Sequence, residues 1–489
     1  MLFWEWERLE SFIEQNHFQI SDAGKLITPI SSFKLRRDPE LQLYLETKSQ
    51  KMATSEQESH PPGTVHINEE TVSFLSINGC TGLASGVQIL STNSNNNIHH
   101  NTRQTTQTSS VHQFECHTTQ TGPVEFTFDW IANMDDCFYI WPDGVRDKLI
   151  TTPTRTFGSD VNKITFEAES ITEGNGRKCV DMTICGQRVI LGVTKAEDID
   201  QELKPGYILF PGEPDDATRK KIRDGLSFIL GFPIIHIGSS KLDEQQQLKS
   251  FKAISANSMD GRAFKTQVLP PAPVTIQNTT NMIDKTKLER MVNSFCDNYE
   301  SYGLSSLNWN YWYAMTAPTH MAPAYFGAII ESIQKKHIET LGSKFNNCII
   351  SKKEYKEIKL IILKATQETK LSPQDKKVLI EKLSNGNSAS QKIRSQRFFE
   401  YLGLDMGTAE LSAWQRRNDA AHGNDIPNKD YISLIKETKL LKLILHRIVL
   451  KITNASDSYI DYYSLHFPTR QISSGVSDEA SATSRPIGP

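Results

Sequence analysis

The chain has 489 residues, of which 38% are hydrophobic and 23% charged, with a formal net charge of −3. A chain this long exceeds the needs of one hydrophobic core, so two or three domains are expected. Its composition excludes both a membrane-embedded protein and a charge-dominated disordered one.

The first residues, Met1-Leu-Phe-Trp-Glu-Trp-Glu-Arg8, are aromatic and acidic. They lack the basic region and continuous apolar stretch of a secretory signal, so export is not expected. Seven cysteines, an odd number without a CxxC pair, fit reduced thiols better than a disulfide framework, and the cytoplasm is the expected location.

From about residue 25 to 275 the pattern is that of short strands, in which β-branched and aromatic residues alternate with polar ones between turn residues. Residues 124–130 make the clearest strand. Residues 163–168, 180–184 and 188–191 predict further strands, the last two joined by a tight turn at Cys185-Gly186-Gln187. The Asn/Thr/Ser/Gln-rich stretch 91–122 has few apolar residues and predicts a long surface loop. One helix is expected from Asp215-Asp216 through Ile222 and Leu226 to Leu230, ended by Gly231, with strand resuming over 232–237. Three prolines within 269–274 remove donors and fix φ, which marks a domain junction.

Beyond the junction the period becomes helical, with helices expected near 283–301, 321–340, 351–369, 373–384, 390–402, 407–421 and 430–453. In the last of these, Leu434, Leu441, Leu445 and Ile448 place an apolar stripe on one face. Its greasiest part, 440–452, is interrupted by Lys442, His446, Arg447 and Lys451 and is too short to cross a bilayer. The expected fold class is therefore α+β. A β-rich region (1–275), sandwich-like or a curved sheet, precedes an all-α bundle (276–466), and a disordered tail is expected over 467–489.

Charge is unevenly spread: residues 331–452 hold 23 Lys/Arg against 14 Asp/Glu, a net +9 that leaves −12 for the remainder. A basic helical region suits a polyanion such as nucleic acid, although a lysine-rich solvated helix face is the ordinary alternative. Within it lies Arg417-Asn418-Asp419-Ala420-Ala421-His422. On a regular helix, positions five apart point about 140° away from each other, so Arg417 and His422 cannot serve one site there. Gly423-Asn424 and Pro427 form a stop signal that predicts a helix end at or just before the histidine, where the imidazole can turn back toward the guanidinium.

The Arg-x4-His spacing, Asn in its second position, a preceding helix, a long amphipathic helix following and a basic setting together resemble the HEPN superfamily over about the last 170 residues. A β-rich N-terminal region of this size joined to such a domain resembles the ApeA family of anti-phage proteins. The resemblance implies an endoribonuclease that needs no metal or other cofactor, in which two protomers pool their Arg/His pairs. It implies RNA as substrate, a homodimer formed through the helical domain, a phage-derived trigger sensed by the β-rich region, and no membrane partner. RNA carries its own nucleophile, the 2′-OH, so the site has to supply a proton-transfer group and donors around the phosphorane. His422 would move the proton, Arg417 would hold the phosphate oxygens through its fork of donors, and Asn418 would orient His422 or contact RNA. Arg416 is the neighbour placed to contact phosphate, or else a solvated arginine, and Glu331 can hold Arg417 by a salt bridge, or else is an exposed helical Glu. The alternative function is a non-catalytic RNA- or ligand-binding or dimerisation module.

Other constellations carry less. Trp309, Trp312 and Tyr313 share helical spacing and can stack bases or, more ordinarily, pack a core. His99-His100, His112, Cys116 and His117 invite zinc but match no common ligand spacing. Asp135-Asp136 and Glu167-Ala-Glu169 form no ordered nuclease signature, and neither a GxxxxGK[ST] loop nor a GxSxG elbow occurs.

Overall fold

The computed structural model describes residues 16–50, 70–97, 102–134, 139–152, 154–157, 164–167, 170–194, 204–255, 272–384, 386–421 and 431–476, with Leu9, Ile13 and Gly63. The chain forms two compact units, Met1–Pro271 with Ile276–Asn293, and Ala272–Thr275 with Ser294–Pro489. It is an α+β protein, β-rich first and helical after.

In the first unit the strands are β1 (Phe18–Asp22), β2 (Ile30–Arg37), β3 (Leu43–Ser49), β4 (Thr71–Ser76), β5 (Thr81–Ser85), β6 (Gln88–Asn97), β7 (Thr102–Val111), β8 (Gln113–His117), β9 (Phe126–Ile131), β10 (Asp143–Thr151), β11 (Thr154–Phe157), β12 (Ile164–Glu167), β13 (Ser170–Ile184), β14 (Gln187–Val193) and β15 (Gly206–Pro211). Helix α1 (Asp216–Leu230) follows, then β16 (His236–Leu242) and β17 (Leu248–Ile254). An antiparallel sheet runs in the order β1-β4-β5-β8-β17-β16-β9-β15-β14-β13-β10, and a second in the order β2-β3-β7-β6. Leu35, Leu43 and Leu45 of the smaller sheet share one core with Val72, Phe74, Ala84, Phe114 and Phe251 of the larger, so the two faces pack as a sandwich. The β13–β14 turn is the expected tight one: Cys185 and Gly186 both have positive φ (53° and 72°), as a two-residue hairpin requires.

Two expectations change here. Residues 91–122 are not a surface loop, because most of them build β6, β7 and β8. Alternation survives with polar side chains inside: Thr105, Gln107 and Ser109 are buried, and Gln107 Oε1 accepts from the Ile27 amide at 2.7 Å. Counting apolar residues misses a strand whose inward positions are hydrogen-bonded Thr, Ser and Gln. Strand also resumes at His236 rather than at Phe232. Pro233 lacks a donor, and the Ile234 and Ile235 amides turn to Ser227 Oγ and Asn133 Oδ1 instead. Of the residues considered for zinc, Cys116 is buried on β8 and His117 is exposed beside it; His99 and His100 lie outside the described residues, as do Asp135, Asp136 and Glu169.

Helix α1 is held by charge as well as by Ile222, Leu226 and Ile229. Asp215 caps its first turn by accepting from the Thr218 amide at 2.8 Å, and Gly231 ends it in the left-handed conformation. On β9, Phe128 and Trp130 enter one core face, so Asp129 projects to the other. There it is fully buried and receives Arg219 and Arg223 of α1, with His236 Nε2 at 3.5 Å. Burial alone would raise the carboxyl pKa, but Arg223, His236 and Arg219 outweigh it and hold Asp129 far below the ordinary range. His236 is pushed down from its ordinary 6.5 by burial and by Arg223, so the fold contains it neutral.

The second unit contains the end of α2 (Lys285–Asp297), then α3 (Leu304–Thr316), α4 (Ala322–Leu341), α5 (Lys352–Glu368), α6 (Pro373–Ser384), α7 (Gln391–Leu402), α8 (Thr408–Ala421) and α9 (Tyr431–Thr453), with a short pair β18 (Ser458–Ile460) and β19 (Thr469–Gln471). Helix α3 is absent from the expected set. Its Tyr311 and Trp312 are core residues, Tyr311 Oη lying 2.8 Å from His446 Nε2, while Trp309 and Tyr313 stack edge to face. Helix α5 opens with a capping box between Ser351 and Glu354, and α7 closes on left-handed Gly403. Among the described residues no helix is long and apolar enough to cross a membrane. The expected disordered tail does not begin at 467: residues 469–471 pair as β19, and Ile472 and Val476 are buried.

Acid should weaken the first unit in two stages. Its neutral His236 contributes stability above the ordinary imidazole pKa, lost as pH falls below about 6.5, because the unfolded chain then binds the proton that the fold refuses. The depressed Asp129 contributes stability above the ordinary carboxyl range, lost as pH falls below about 4. Unfolding free energies from denaturant titrations between pH 8 and 5 should therefore decline by up to about 1.4 kcal/mol per pH unit below 6.5 from His236, and His236→Gln should flatten that decline. Asp129→Asn should cost about 3–5 kcal/mol, since it removes the buried carboxylate that pairs with buried Arg219 and with largely buried Arg223.

Candidate active site

Helix α8 carries the Arg417 segment, and both its beginning and its middle are fixed by side chains from other elements. Near its start Glu410, fully buried, accepts from the Gly407 amide at 2.9 Å and from Arg447 Nη1 of α9 at 2.6 Å. Arg447 directs its other donors to the carbonyls of Asp405, Ile472 and Ser473. Burial pushes the Glu410 carboxyl up, and Arg447 opposes that. Such a pair is tolerable inside a protein because every charged atom finds a partner.

One turn further, Trp414 lies between Phe399 of α7, which meets its edge at 5.9 Å, and Arg417, whose Cζ stands 3.5 Å from the indole centroid. Arg417 also donates from Nη1 to the Trp414 carbonyl and from Nη2 to the Glu331 carboxylate of α4. Its stem crosses α4 at Gly327, one turn before Glu331; a Cβ there would stand 2.7 Å from Arg417 Cδ. A glycine inside an otherwise regular helix is thus required by close approach. The outcome is an arginine only 6% exposed, with its plane, edge and stem each engaged.

Of the sequence candidates, Arg417 is therefore packed, and Glu331 does pair with it. Arg416 points elsewhere, its Nη1 forming an ion pair with Glu437 of α9 at 2.7 Å while the side chain remains about half exposed. Asn418 continues the helix, but its side chain and all of His422 lie outside the described residues. Trp414, Gly327, Glu410 and Arg447 escaped the sequence reading. Two signals for them existed: Trp414 and Arg417 are three apart on one helical face, and Gly327 interrupts a helical pattern.

Chemically, Arg417 is a preorganised donor with one hydrogen-bonding edge committed to a carboxylate. Glu331 is itself about two-fifths exposed, so an anion arriving from solvent meets that carboxylate before it meets the guanidinium. No family model, curated protein or solved structure matches the chain.

Arg417→Ala should lower stability by about 2 kcal/mol, through the lost contact with Trp414 and the gap left against Gly327. Gly327→Ala should destabilise by a similar amount although alanine favours helix, because its methyl collides with the arginine stem. Thermal melts of both variants measure this; a neutral Gly327→Ala would show that the close approach is not required.

Proposed function

We propose that the protein is a metal-independent endoribonuclease of the HEPN type, in which Arg417 and His422 act on an RNA phosphodiester. The observation that carries this is the preorganised Arg417 on α8, five residues ahead of a histidine in a strongly basic helical region. In the proposed reaction His422 takes the proton from the ribose 2′-OH or returns one to the leaving 5′ oxygen. The 2′ oxygen then forms a bond to phosphorus as the bond to the 5′ oxygen breaks. Arg417, exchanging Glu331 for phosphate, steadies the negative oxygens of the phosphorane, and Asn418 orients the imidazole or the RNA. Products are a 2′,3′-cyclic phosphate and a 5′-OH, and DNA is spared because it lacks the nucleophile.

By the resemblance already drawn to the ApeA family, the enzyme is an abortive-infection effector working in the cytoplasm as a homodimer. Its β-rich unit senses a phage component, and host or phage RNA, with tRNA as one target class, is cut. Its restraint until infection would protect the host from its own nuclease.

A second reading is favoured by the burial of Arg417. Stacked, paired and packed, the guanidinium also suffices as a clamp between α4 and α8 of a non-catalytic RNA- or ligand-binding module. Cellular RNA incubated in EDTA with wild type, Arg417→Ala and His422→Ala, followed by mapping of termini, separates the two. Wild type should leave cyclic phosphates, and each variant should be slower by roughly a hundredfold or more. His422→Ala is the decisive arm, since Arg417→Ala also loses packing. Undiminished cleavage by His422→Ala would remove the catalytic assignment, and cleavage abolished by EDTA would replace it with metal-dependent chemistry.

A further inference from the structure

Helix α9 carries one amine in surroundings unlike those of its other lysines. Lys436, Lys439 and Lys451 are exposed, whereas Lys442 is only partly so, with Leu441 and Leu443 buried on either side of it in the chain. Its Nζ lies 5.6 Å from the centroid of the Tyr462 ring, and among the described residues no carboxylate forms an ion pair with it. Asp461, the acid next to that ring, is committed to Arg470 Nε at 2.7 Å and to Ser464 Oγ at 2.6 Å. One turn further along α9, His446 is fully buried with Nε2 2.8 Å from Tyr311 Oη, and one turn back Lys439 adds a like charge.

An ammonium in such a place has lost water without gaining a counter-charge, which favours the neutral amine. Burial first, and then Lys439, hold the Lys442 pKa down at about 8. His446 adds no compensating charge, being itself pushed well below 6.5 by burial and then by Lys442. The aromatic wall beside the amine continues outward into solvent. Phe467 meets Tyr462 at 5.3 Å while remaining 58% exposed, and Leu465 is 87% exposed. Between and at these positions His466 and Phe467 both adopt left-handed backbone (φ 63° and 48°), which is costly for residues that carry a Cβ. A strained loop that turns apolar side chains outward next to a desolvated amine suits a ligand with an apolar group on one side and an electrophilic carbon on the other.

We propose that Lys442 is a nucleophilic lysine that accepts an acyl group from a small acyl phosphate, with Tyr462 and Phe467 receiving the acyl chain. The Nζ lone pair forms a bond to the carbonyl carbon, and the bond from that carbon to the phosphate oxygen breaks. Phosphate leaves with the electron pair, the surplus proton passes from nitrogen to water, and the product is a neutral amide. The site stands on the surroundings of Lys442 alone and does not depend on the ribonuclease assignment.

Treating the full chain with acetyl phosphate near neutral pH, and mapping the modified peptides by mass against time, tests it. Lys442 should be acetylated roughly tenfold faster than Lys436 and Lys439, although both are more exposed. As pH is raised, its rate should level off above about 8, while theirs keep climbing toward the ordinary lysine pKa of about 10.4. The preference should vanish in urea, where all three amines are equally hydrated. Phe467→Ala, a change at a largely exposed position, should slow butyryl phosphate relative to acetyl phosphate by roughly fivefold, because the longer chain loses its wall. The proposal is overturned by a Lys442 that reacts no faster than its neighbours, or by a rate that climbs in parallel with theirs. A preference that persists in urea, or a chain-length ratio indifferent to Phe467→Ala, would overturn it too.

Discussion

Helix α8 depends on the Glu410–Arg447 ion pair. Both side chains are fully buried, and removing two charges from water is tolerated only when their remaining donors and acceptors are matched. They are matched by backbone from either side: the amides of Gly407 and Val476 point at the carboxylate, and the carbonyls of Asp405, Ile472 and Ser473 receive the guanidinium. Three chain segments thereby meet at one point: the start of α8, the middle of α9 and the stretch after β19. Gly475 completes the packing, since a Cβ there would lie 2.5 Å from Glu410 Oε2. A single misplaced atom would leave a buried charge unpaired, so the register of α8 is strictly specified. Arg417 inherits that register two turns later.

The β-rich unit uses the same device with its own residues. Asp129 sits on the face of β9 opposite Phe128 and Trp130 and draws two arginines of α1 onto the sheet. In each unit a charge that a core would ordinarily exclude sets the position of one helix against its neighbours, with apolar packing on either side. Apolar contacts supply most of the free energy, but they are tolerant of small slides. Paired buried charges are not, and they contribute geometry.

Arg417 stands between these two kinds of role. The contacts that hold it ready for an anion are those by which a structural arginine would fasten α4 to α8, so stability and function at this position are coupled. Glu331 is the hinge of that coupling because it is the partner of Arg417 most open to solvent and hence the one an incoming phosphate would displace. Arg416, one residue earlier, is turned to Glu437 by the 100° step of the helix. Adjacent arginines thus fasten α8 to two different helices.

Periodicity and punctuation determined a good deal without any tertiary information. The alternation around residues 126–131, the Asp215 and Gly231 signals bounding α1, and the 3.6-residue period of the helices from 322 onward are local, because backbone capping and amphipathic spacing act over a few residues. The Arg417 to His422 spacing was likewise visible, and so was Glu331 as a possible partner. Strands β6 and β7 were not: the described side chains of β6 are exposed, and the inward Thr105, Gln107 and Ser109 of β7 are polar, with Gln107 accepting from the distant Ile27 amide. Only the tertiary structure decided that Arg417 is buried against Trp414 and Gly327, that Arg416 is paired to Glu437, and that Arg447 closes on Glu410. Each of these joins residues brought together by packing, and for buried Arg417 and Arg447 the cost of leaving a charge unmatched in a dry interior selects the partner.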